Sequence, residues 1–377
     1  MDLLIPAFIF SFILAYANSA NDVSKSVATL VGSGVTDYRK ALLWGTIWTV
    51  AGSFMASIFA LKLVLTFTNG WIANSVEITT DFPIAVLLGS MAWVLLASKF
   101  GAPVSTTHAI TGALCSTGIF VYGVDKILWT SLGEKIFLPL ALSPVLASAL
   151  VFLFIPLCKL GFAKWGGACL CIDIKQVVPV KILNNGFVLE SQEGVEVVNA
   201  VVSSDRQCNE ESTYAFRLNV DTLHWLSSGA ASIARGLNDA PKIVALGISL
   251  MIASGNSMEN FNFLNFIFVS VGMGLGSYLS GLKVTEVLAE RVTKMNHLEG
   301  FSANFITALL VTIAARLGLP VSTTHVSSGA IIGIGFRKGV KGVYWKTVRE
   351  MVLAWIVTLP AAGILAVTAF NVLKFFF

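Results

Sequence analysis

The sequence predicts an all-α polytopic membrane protein, built as an inverted-topology repeat with broken helices and two re-entrant hairpins, plus a small soluble insert that contains β-strands. Three observations predict this fold. The 377-residue chain is 55% hydrophobic and only 12% charged, whereas soluble domains carry roughly 25% charged residues. Its apolar runs are long and do not alternate with polar residues. A polar segment separates two halves that carry the same motifs in the same order.

The apolar runs, such as 41–67 and 352–370, exceed the roughly 20 residues that a helix needs to cross a bilayer. A β-barrel would instead show alternating segments of about ten residues. The run at 3–15 follows an acidic residue rather than a basic region, so we interpret it as a span and not as a signal peptide. The composition also excludes a disordered chain, a coiled coil and an ordinary soluble enzyme, and a net charge of +4 does not suit a nucleic-acid binder.

Two motifs occur twice, which indicates an internal duplication. The segment 17–25 (ANSANDVSK) resembles 234–242 (ARGLNDAPK), and 101–108 (GAPVSTTH) resembles 318–325 (GLPVSTTH). Both pairs are offset by 217 residues, and the two motifs lie the same distance apart in each half.

A polar insert lies between the repeats and holds thirteen of the 46 charged residues. Its alternating stretches at 175–180 and 188–202, with a turn at Asn184–Asn185–Gly186, predict short strands. The predicted domains are a first membrane repeat (1–160), the insert (161–222) and a second, inverted repeat (223–377).

Charge predicts the orientation, because Lys and Arg accumulate in cytoplasmic loops. Loops 68–81 and 251–261 contain neither residue, and the basic residues near the first and last runs are Arg39, Lys40, Arg337, Lys338, Lys341, Lys346 and Arg349. If each half crosses three times and adds one re-entrant hairpin, the second half is inverted relative to the first. We therefore expect a multi-pass protein of the cell membrane, with both termini outside and the insert in the cytoplasm.

Asn21–Asp22 and Asn238–Asp239 place carboxylates inside apolar sequence, where an ionised Asp costs about 2.5 to 3.5 kcal/mol. Such residues face a bundle interior or a watery cavity. The small neighbouring residues allow the helix to break there, which frees carbonyl and N–H groups for ions. The alternative is a helix cap or an interhelical hydrogen bond.

The second motif predicts an anion site at a helix start. Gly101 and Gly318 allow a sharp turn, and the following Pro and hydroxyl residues favour a new helix. A helix N-terminus offers unpaired N–H groups and a partial positive charge. The hydroxyl residues are Ser105, Thr106, Thr107, Ser322, Thr323 and Thr324. Capping of an ordinary membrane helix is the alternative.

The two motifs together predict cation-coupled transport of an oxyanion. Two carboxylates close to an anion repel each other and the anion strongly unless cations or protons lie between them. Oxygen ligands of this kind suit a hard cation. The candidate sodium ligands are Asn21, Asp22, Asn238 and Asp239, with Ser105 and Ser322 as further candidates. An Asp can also accept a hydrogen bond from protonated phosphate, which sulfate cannot offer. The sequence leaves open the roles of Lys25, Lys242, Arg235, His108 and His325, and for the histidines we favour bracing of the hairpin over proton transfer.

These four motif blocks resemble the inorganic phosphate transporter (PiT) family. The resemblance spans nearly the whole chain outside the insert, although Ser24–Lys25 stand where family members often carry Ala-Asn. It implies sodium-coupled symport of inorganic phosphate, with proton-coupled phosphate or sulfate symport as the alternative. It also implies one central site, whose phosphate-binding residues are Asn21, Asp22, Ser105, Thr106, Thr107, Asn238, Asp239, Ser322, Thr323 and Thr324.

Other classes fit less well. An intramembrane hydrolase with Ser105 or Ser322 as nucleophile has no evident third orienting group, and an anion channel seldom needs two buried carboxylates. A receptor role stays open. We expect no enzyme activity, no catalytic residue and no cofactor besides the co-transported cation. The expected partners are phosphate, sodium and the lipid bilayer, without nucleic acid, and the expected assembly is a homodimer.

Overall fold

A computed structural model describes residues 4–376, apart from 69, 74, 165–167, 178–179, 183–187, 191–194, 205–213 and 256–260. Within the described part of 162–218, and at 261, 262 and 376, it describes the backbone only. The first helices are α1 (Leu4–Asp22), α2 (Ser24–Gly32), α3 (Tyr38–Phe59), α4 (Leu61–Thr68), α5 (Asp81–Lys99), α6 (Thr106–Tyr122), α7 (Trp129–Leu132) and α8 (Leu138–Lys164).

In the described part of the insert, five strands follow: β1 (Ala168–Val177), β2 (Val180–Ile182), β3 (Val188–Glu190), β4 (Val195–Ser204) and β5 (Tyr214–Leu218). The remaining helices are α9 (Val220–Ala253), α10 (Phe261–Ser280), α11 (Leu282–Glu290), α12 (His297–Leu317), α13 (Thr323–Arg337) and α14 (Trp345–Phe376). Strands β4, β1 and β5 form an antiparallel sheet, and β2 pairs antiparallel with β3. The turn predicted at Asn184–Asn185–Gly186 lies outside the described residues.

Eight helical segments in the described part of the chain are long and apolar enough to cross a membrane. They comprise α1 with α2, then α3, α5, α7 through α8, α9, α10, α12 and α14. The chain is therefore a multi-pass membrane protein, as the composition predicts.

Broken helices occur where the chain passes from α1 to α2 at Val23, from α3 to α4 at Ala60 and from α10 to α11 at Gly281. At the second Asn-Asp motif the structure differs from the expected break, because α9 runs without interruption from Val220 to Ala253. Close packing explains the difference. A Cβ atom on Gly236 would lie only 2.4 Å from the backbone nitrogen of Ser53 in α3, so the two helices hold each other along this stretch.

The two predicted hairpins are α5–α6 and α12–α13. Each turns at a glycine with a positive φ, Gly101 at +71° and Gly318 at +75°, a conformation that residues with a Cβ rarely adopt. Residues 103–105 and 320–322, which follow the two turns, are all buried. The hairpins therefore end inside the protein.

Helices of each half pack on helices of the other half. Helix α1 packs on α10 of the second half, and α9 packs on α3 of the first half. In the same way α14 packs on α6, and α8 packs on α13. Helix α9 lies deepest, since every side chain from Ala234 to Met251 is buried, and a helix that is covered all round belongs to the centre of a bundle.

Candidate functional site

The first Asn-Asp motif closes α1 at the helix interruption. Asn21 is fully buried and Asp22 is 2% exposed. The Ser24 hydroxyl and the Lys25 ammonium donate hydrogen bonds to the carbonyl oxygen of Asn21, at 2.8 and 2.7 Å. Side chains thus bind the carbonyl that faces the break at Val23.

The serines of the hairpin motif begin the two inner helices. Ser105 is the N-cap of α6 and its Oγ accepts a hydrogen bond from the backbone N–H of His108 at 3.2 Å. Ser322 caps α13 in the same way, accepting from His325 at 3.2 Å. Each serine hydroxyl still carries a hydrogen that it can donate. The cap and the anion-site interpretations are therefore compatible.

The two hairpin tips meet and brace each other. The Thr107 hydroxyl of the first hairpin donates to the carbonyl oxygen of Val321 at 3.3 Å. The Thr324 hydroxyl of the second hairpin donates to the carbonyl oxygen of Val104 at 2.7 Å. The two contacts are counterparts under the duplication, so the tips meet with approximate two-fold symmetry.

The asparagines tie each hairpin tip to the helix of its own half. Asn21 Nδ2 donates to the carbonyl of Ala102 at 2.8 Å, and Asn21 Oδ1 accepts from the backbone N–H of Val104 at 3.2 Å. Asn238 Nδ2 donates to the carbonyl of Val321 at 3.0 Å. In each half, the Asn-Asp motif therefore contacts the hairpin motif directly.

Both carboxylates are paired with a lysine one helical turn further on. Lys25 Nζ lies 3.2 Å from Asp22 Oδ1, and Lys242 Nζ lies 3.1 Å from Asp239 Oδ1. All four side chains are at most 3% exposed. The sequence left the roles of these lysines open, and the structure places both in ion pairs.

Asp22 contacts the second hairpin directly, and Asp239 is linked to it through Lys242. The Thr323 hydroxyl donates to Asp22 Oδ2 at 3.1 Å, while Lys242, the partner of Asp239, donates to the carbonyl of Val321 at 3.1 Å. The predicted site residues of the two halves thus converge on one buried region.

Several polar atoms in this region have no hydrogen-bond partner among the described residues. They are Asp22 Oδ1, whose contact is the ion pair with Lys25, together with Asp239 Oδ2, Asn238 Oδ1 and Thr106 Oγ1. A buried polar atom without a partner costs free energy. Beside the ion-paired Asp22 oxygen, the group therefore keeps two acceptor oxygens, Asp239 Oδ2 and Asn238 Oδ1, and the Thr106 hydroxyl free for a ligand.

Arg235 adds a third cation to the region. Its guanidinium is 1% exposed and donates to the hydroxyls of Ser19 at 3.2 Å, of Ser277 at 3.1 Å and of Thr49. In the sequence, the position of Arg235 three residues before Asn238, one turn along the same helix, already indicated that it lies near the second motif.

The two motif histidines face each other across the halves. The ring centroids of His108 and His325 are 4.5 Å apart, and the His325 ring also contacts Trp355 at 4.0 Å. His325 Nδ1 lies 3.0 Å from the carbonyl oxygen of Leu140. These contacts support the bracing interpretation.

Lys99 and Arg316, which precede the two hairpin turns, are both exposed. Lys99 lines a cavity of about 500 Å³ together with Tyr16, Ser98 and Lys283. Ser98 accepts a hydrogen bond from Asn21 Nδ2 at 3.1 Å. This cavity therefore reaches to within one hydrogen bond of the first motif.

Comparison with known proteins agrees with this architecture. Residues 18–366 match the phosphate transporter family. A protein of Pyrococcus horikoshii named as a phosphate permease is 26% identical over 98% of this chain and 97% of its own length. The chloroplastic inorganic phosphate transporter 2-1 of Arabidopsis thaliana is 27% identical over 95% of this chain and 70% of its own length.

Among solved structures, one described as the sodium-dependent phosphate transporter superposes with a TM-score of 0.78. The two chains cover each other completely at 23% sequence identity. The likeness establishes that the two proteins share a fold.

Proposed function

The chain belongs to the phosphate transporter family, and on this premise we propose that it is a secondary active transporter. It carries inorganic phosphate through one central site by alternating access, coupled to a cation. The observation that supports this most directly is the meeting of the two hairpin tips, each braced by a threonine of the other, beside Asp22 and Asp239. One buried site built from both halves is what an inverted-repeat carrier requires.

Phosphate binds, on this proposal, between the N-termini of α6 and α13. The first N–H groups of a helix have no partner within the helix and favour anions, and here two such termini lie side by side. The residues proposed to bind phosphate are Asn21, Asp22, Ser105, Thr106, Thr107, Asn238, Asp239, Ser322, Thr323 and Thr324.

The free acceptor oxygen of Asp239 supports phosphate over sulfate. Oδ2 of this residue is buried and has no partner in the described part of the chain. Phosphate carries a proton near neutral pH and can donate it in a hydrogen bond to a carboxylate, whereas fully ionised sulfate would only be repelled. We therefore propose phosphate as the substrate and sulfate as a weak competitor.

Sodium is the first candidate for the coupling ion, and its proposed ligands are Asn21, Asp22, Asn238 and Asp239, with Ser105 and Ser322. Their oxygen atoms suit a hard cation, and the similar solved structure is described as sodium-dependent. Proton coupling is the second candidate. The ammonium groups of Lys25 and Lys242 favour it, because they already bring positive charge to both carboxylates.

We propose further that residues 1–160 and 223–377 form the two inverted repeats and that 161–222 form a cytoplasmic insert between them. Both termini then lie outside the plasma membrane. The distribution of basic residues supports this orientation. A homodimer is the proposed assembly.

Uptake of radiolabelled phosphate into proteoliposomes tests the transport proposal. Sodium and pH gradients are imposed separately, and counterflow is measured without any gradient. We expect saturable uptake with counterflow, which unlabelled phosphate competes away and sulfate affects little. Folded protein that moves no phosphate under any gradient would disprove the proposal, and flux without counterflow would indicate a channel instead.

A further inference from the structure

The ammonium group of Lys25 sits in a set of oxygen atoms that resembles a cation site. Lys25 Nζ lies 2.7 Å from the Asn21 carbonyl oxygen, 2.7 Å from Asn21 Oδ1 and 3.2 Å from Asp22 Oδ1. Two of the three N–H donors of the ammonium are given to Asn21 oxygens, and the Asp22 carboxylate supplies the counter-charge. Carboxylate, amide and carbonyl oxygens are also the ligands that hard cations take.

Lys242 has an equivalent set of partners in the second half. Its Nζ lies 3.1 Å from Asp239 Oδ1, 2.7 Å from Thr107 Oγ1 and 3.1 Å from the Val321 carbonyl oxygen. Here two of the three oxygens come from the hairpin tips. Lys242 therefore joins both tips to the carboxylate of α9 as well as balancing its charge.

The fixed charges of the site are already compensated without an added ion. Asp22 and Asp239 supply two negative charges, and Lys25, Lys242 and Arg235 supply three positive ones, all on side chains at most 3% exposed. When all five are ionised, the site keeps one net positive charge. A monobasic phosphate then makes it neutral, whereas sodium ions bound at both carboxylates would add charge to an already cationic site.

We propose that Lys25 and Lys242 are tethered cations that occupy the two positions where the carboxylates would otherwise hold sodium, so that phosphate binds to this chain without sodium. The inference rests on the proposed function, because it concerns the same phosphate site. It favours proton coupling over sodium coupling. The lysines act through their charge and through the oxygens they hold together, since protein oxygens surround each ammonium.

An exposed ion pair of the same spacing provides the matched control. Asp37 and Lys40 are also three residues apart on a helical turn, with Nζ 3.1 Å from Oδ2, but their side chains are 53% and 74% exposed. Exposed pairs of this kind contribute little. The three pairs therefore share their geometry and differ in burial and in their contact with the hairpin tips.

The test is phosphate binding to the purified full-length protein, measured with radiolabelled inorganic phosphate in sodium buffer and in buffer where potassium or choline replaces sodium. For the wild type we expect affinities within about twofold of each other in the two buffers. Lys25→Ala and Lys242→Ala should each bind phosphate at least about 30-fold more weakly without sodium, as expected for loss of one member of a buried charge pair. Lys40→Ala should bind like the wild type.

Adding sodium distinguishes a tethered cation from a merely structural lysine. In Lys25→Ala the three oxygens are released, so sodium should restore much of the lost affinity, and the variant becomes sodium-dependent. The same gain is expected for Lys242→Ala. Thermal unfolding in detergent verifies that each variant is folded.

Two results would overturn the inference. One is wild-type binding that weakens tenfold or more when sodium is removed, a measurement that needs no variant. The other is a folded Lys25→Ala protein that binds phosphate normally in sodium-free buffer. Both would leave phosphate transport itself intact, whereas failure of the wild type to bind phosphate in any buffer would contradict the proposed function as well.

Discussion

Ser53 donates a hydrogen bond to Ser270 over 2.8 Å, and these two residues occupy the same position in the two halves, 217 residues apart. A residue can touch its own counterpart only on the axis that relates the halves. His108 and His325, which are also counterparts, face each other at 4.5 Å. The axis therefore passes between both pairs.

The first prediction concerns the two buried carboxylates. Asp22→Asn and Asp239→Asn should each lower phosphate uptake by about 30-fold or more, because each leaves a buried lysine without its counter-charge. Asn keeps the shape of the side chain, so the variants should fold. Proteoliposome uptake measures the effect, and Asp37→Asn, on the surface, is the control. Undiminished uptake in either buried variant would contradict the site.

A second prediction concerns two threonines that are counterparts. Thr323 donates to Asp22 at 3.1 Å, whereas Thr106 Oγ1 and Asp239 Oδ2 both lack a partner in the described part of the chain. If the two halves exchange conformations during alternating access, a hydrogen bond from Thr106 to Asp239 replaces the one from Thr323 to Asp22 when the carrier opens to the other side of the membrane. Thr323→Val should then shift the population away from the state described here by roughly tenfold, and Thr106→Val should shift it towards that state.

Labelling of a cysteine in the 500 Å³ cavity measures this shift. Leu95, a half-exposed residue of its lining, is replaced by Cys and labelled with a membrane-impermeant maleimide. The wild-type chain, with its own cysteines, gives the background. Rates that change in opposite directions in the two threonine variants support the exchange, and equal rates would disprove it.

A third prediction tests the packing of α6 on α14. A Cβ atom at Gly112 would lie 2.1 Å from the carbonyl oxygen of Leu359, a backbone atom that cannot move away cheaply. Gly112→Ala should therefore destabilise the protein by about 1–3 kcal/mol. Gly161→Ala in α8, where a Cβ meets no atom within 4 Å, should be neutral. Thermal unfolding in detergent compares the two, and equal melting temperatures would refute the close approach.

The fourth prediction concerns the amide that holds the first hairpin tip. Asn21→Asp keeps the shape but cannot donate to the Ala102 carbonyl, and it adds charge beside Asp22. We expect uptake to fall by at least about tenfold, since a half-buried carbonyl loses its partner and a second charge is placed beside Asp22. The control is Asn371→Asp, because the exposed Asn371 side chain also donates to a backbone carbonyl, that of Val367, at 2.9 Å. Normal transport by Asn21→Asp would show that the tip needs no such tie.

The amino-acid sequence alone was sufficient for the membrane class and the duplication, whereas the roles assigned to the site residues stay a prediction. These follow from local properties: long apolar runs span a bilayer, glycine permits the turns at Gly101 and Gly318, and a serine caps each inner helix. The matched spacing of the motifs indicated the duplication, and the structure adds that the motifs touch, through the hydrogen bond from Asn21 to the Ala102 carbonyl.

Contacts between distant parts of the chain needed the folded structure. The sequence did not indicate that α9 stays continuous through Asn238–Asp239, because packing against α3 overrides the local signals for a break. Nor did the sequence show that Lys25 and Lys242 form buried ion pairs with the carboxylates. An Asp and a Lys three residues apart have the same sequence pattern when they lie on the surface, as Asp37 and Lys40 do. Burial and the oxygens brought in by other helices distinguish these pairs, and both arise only when the two halves pack together.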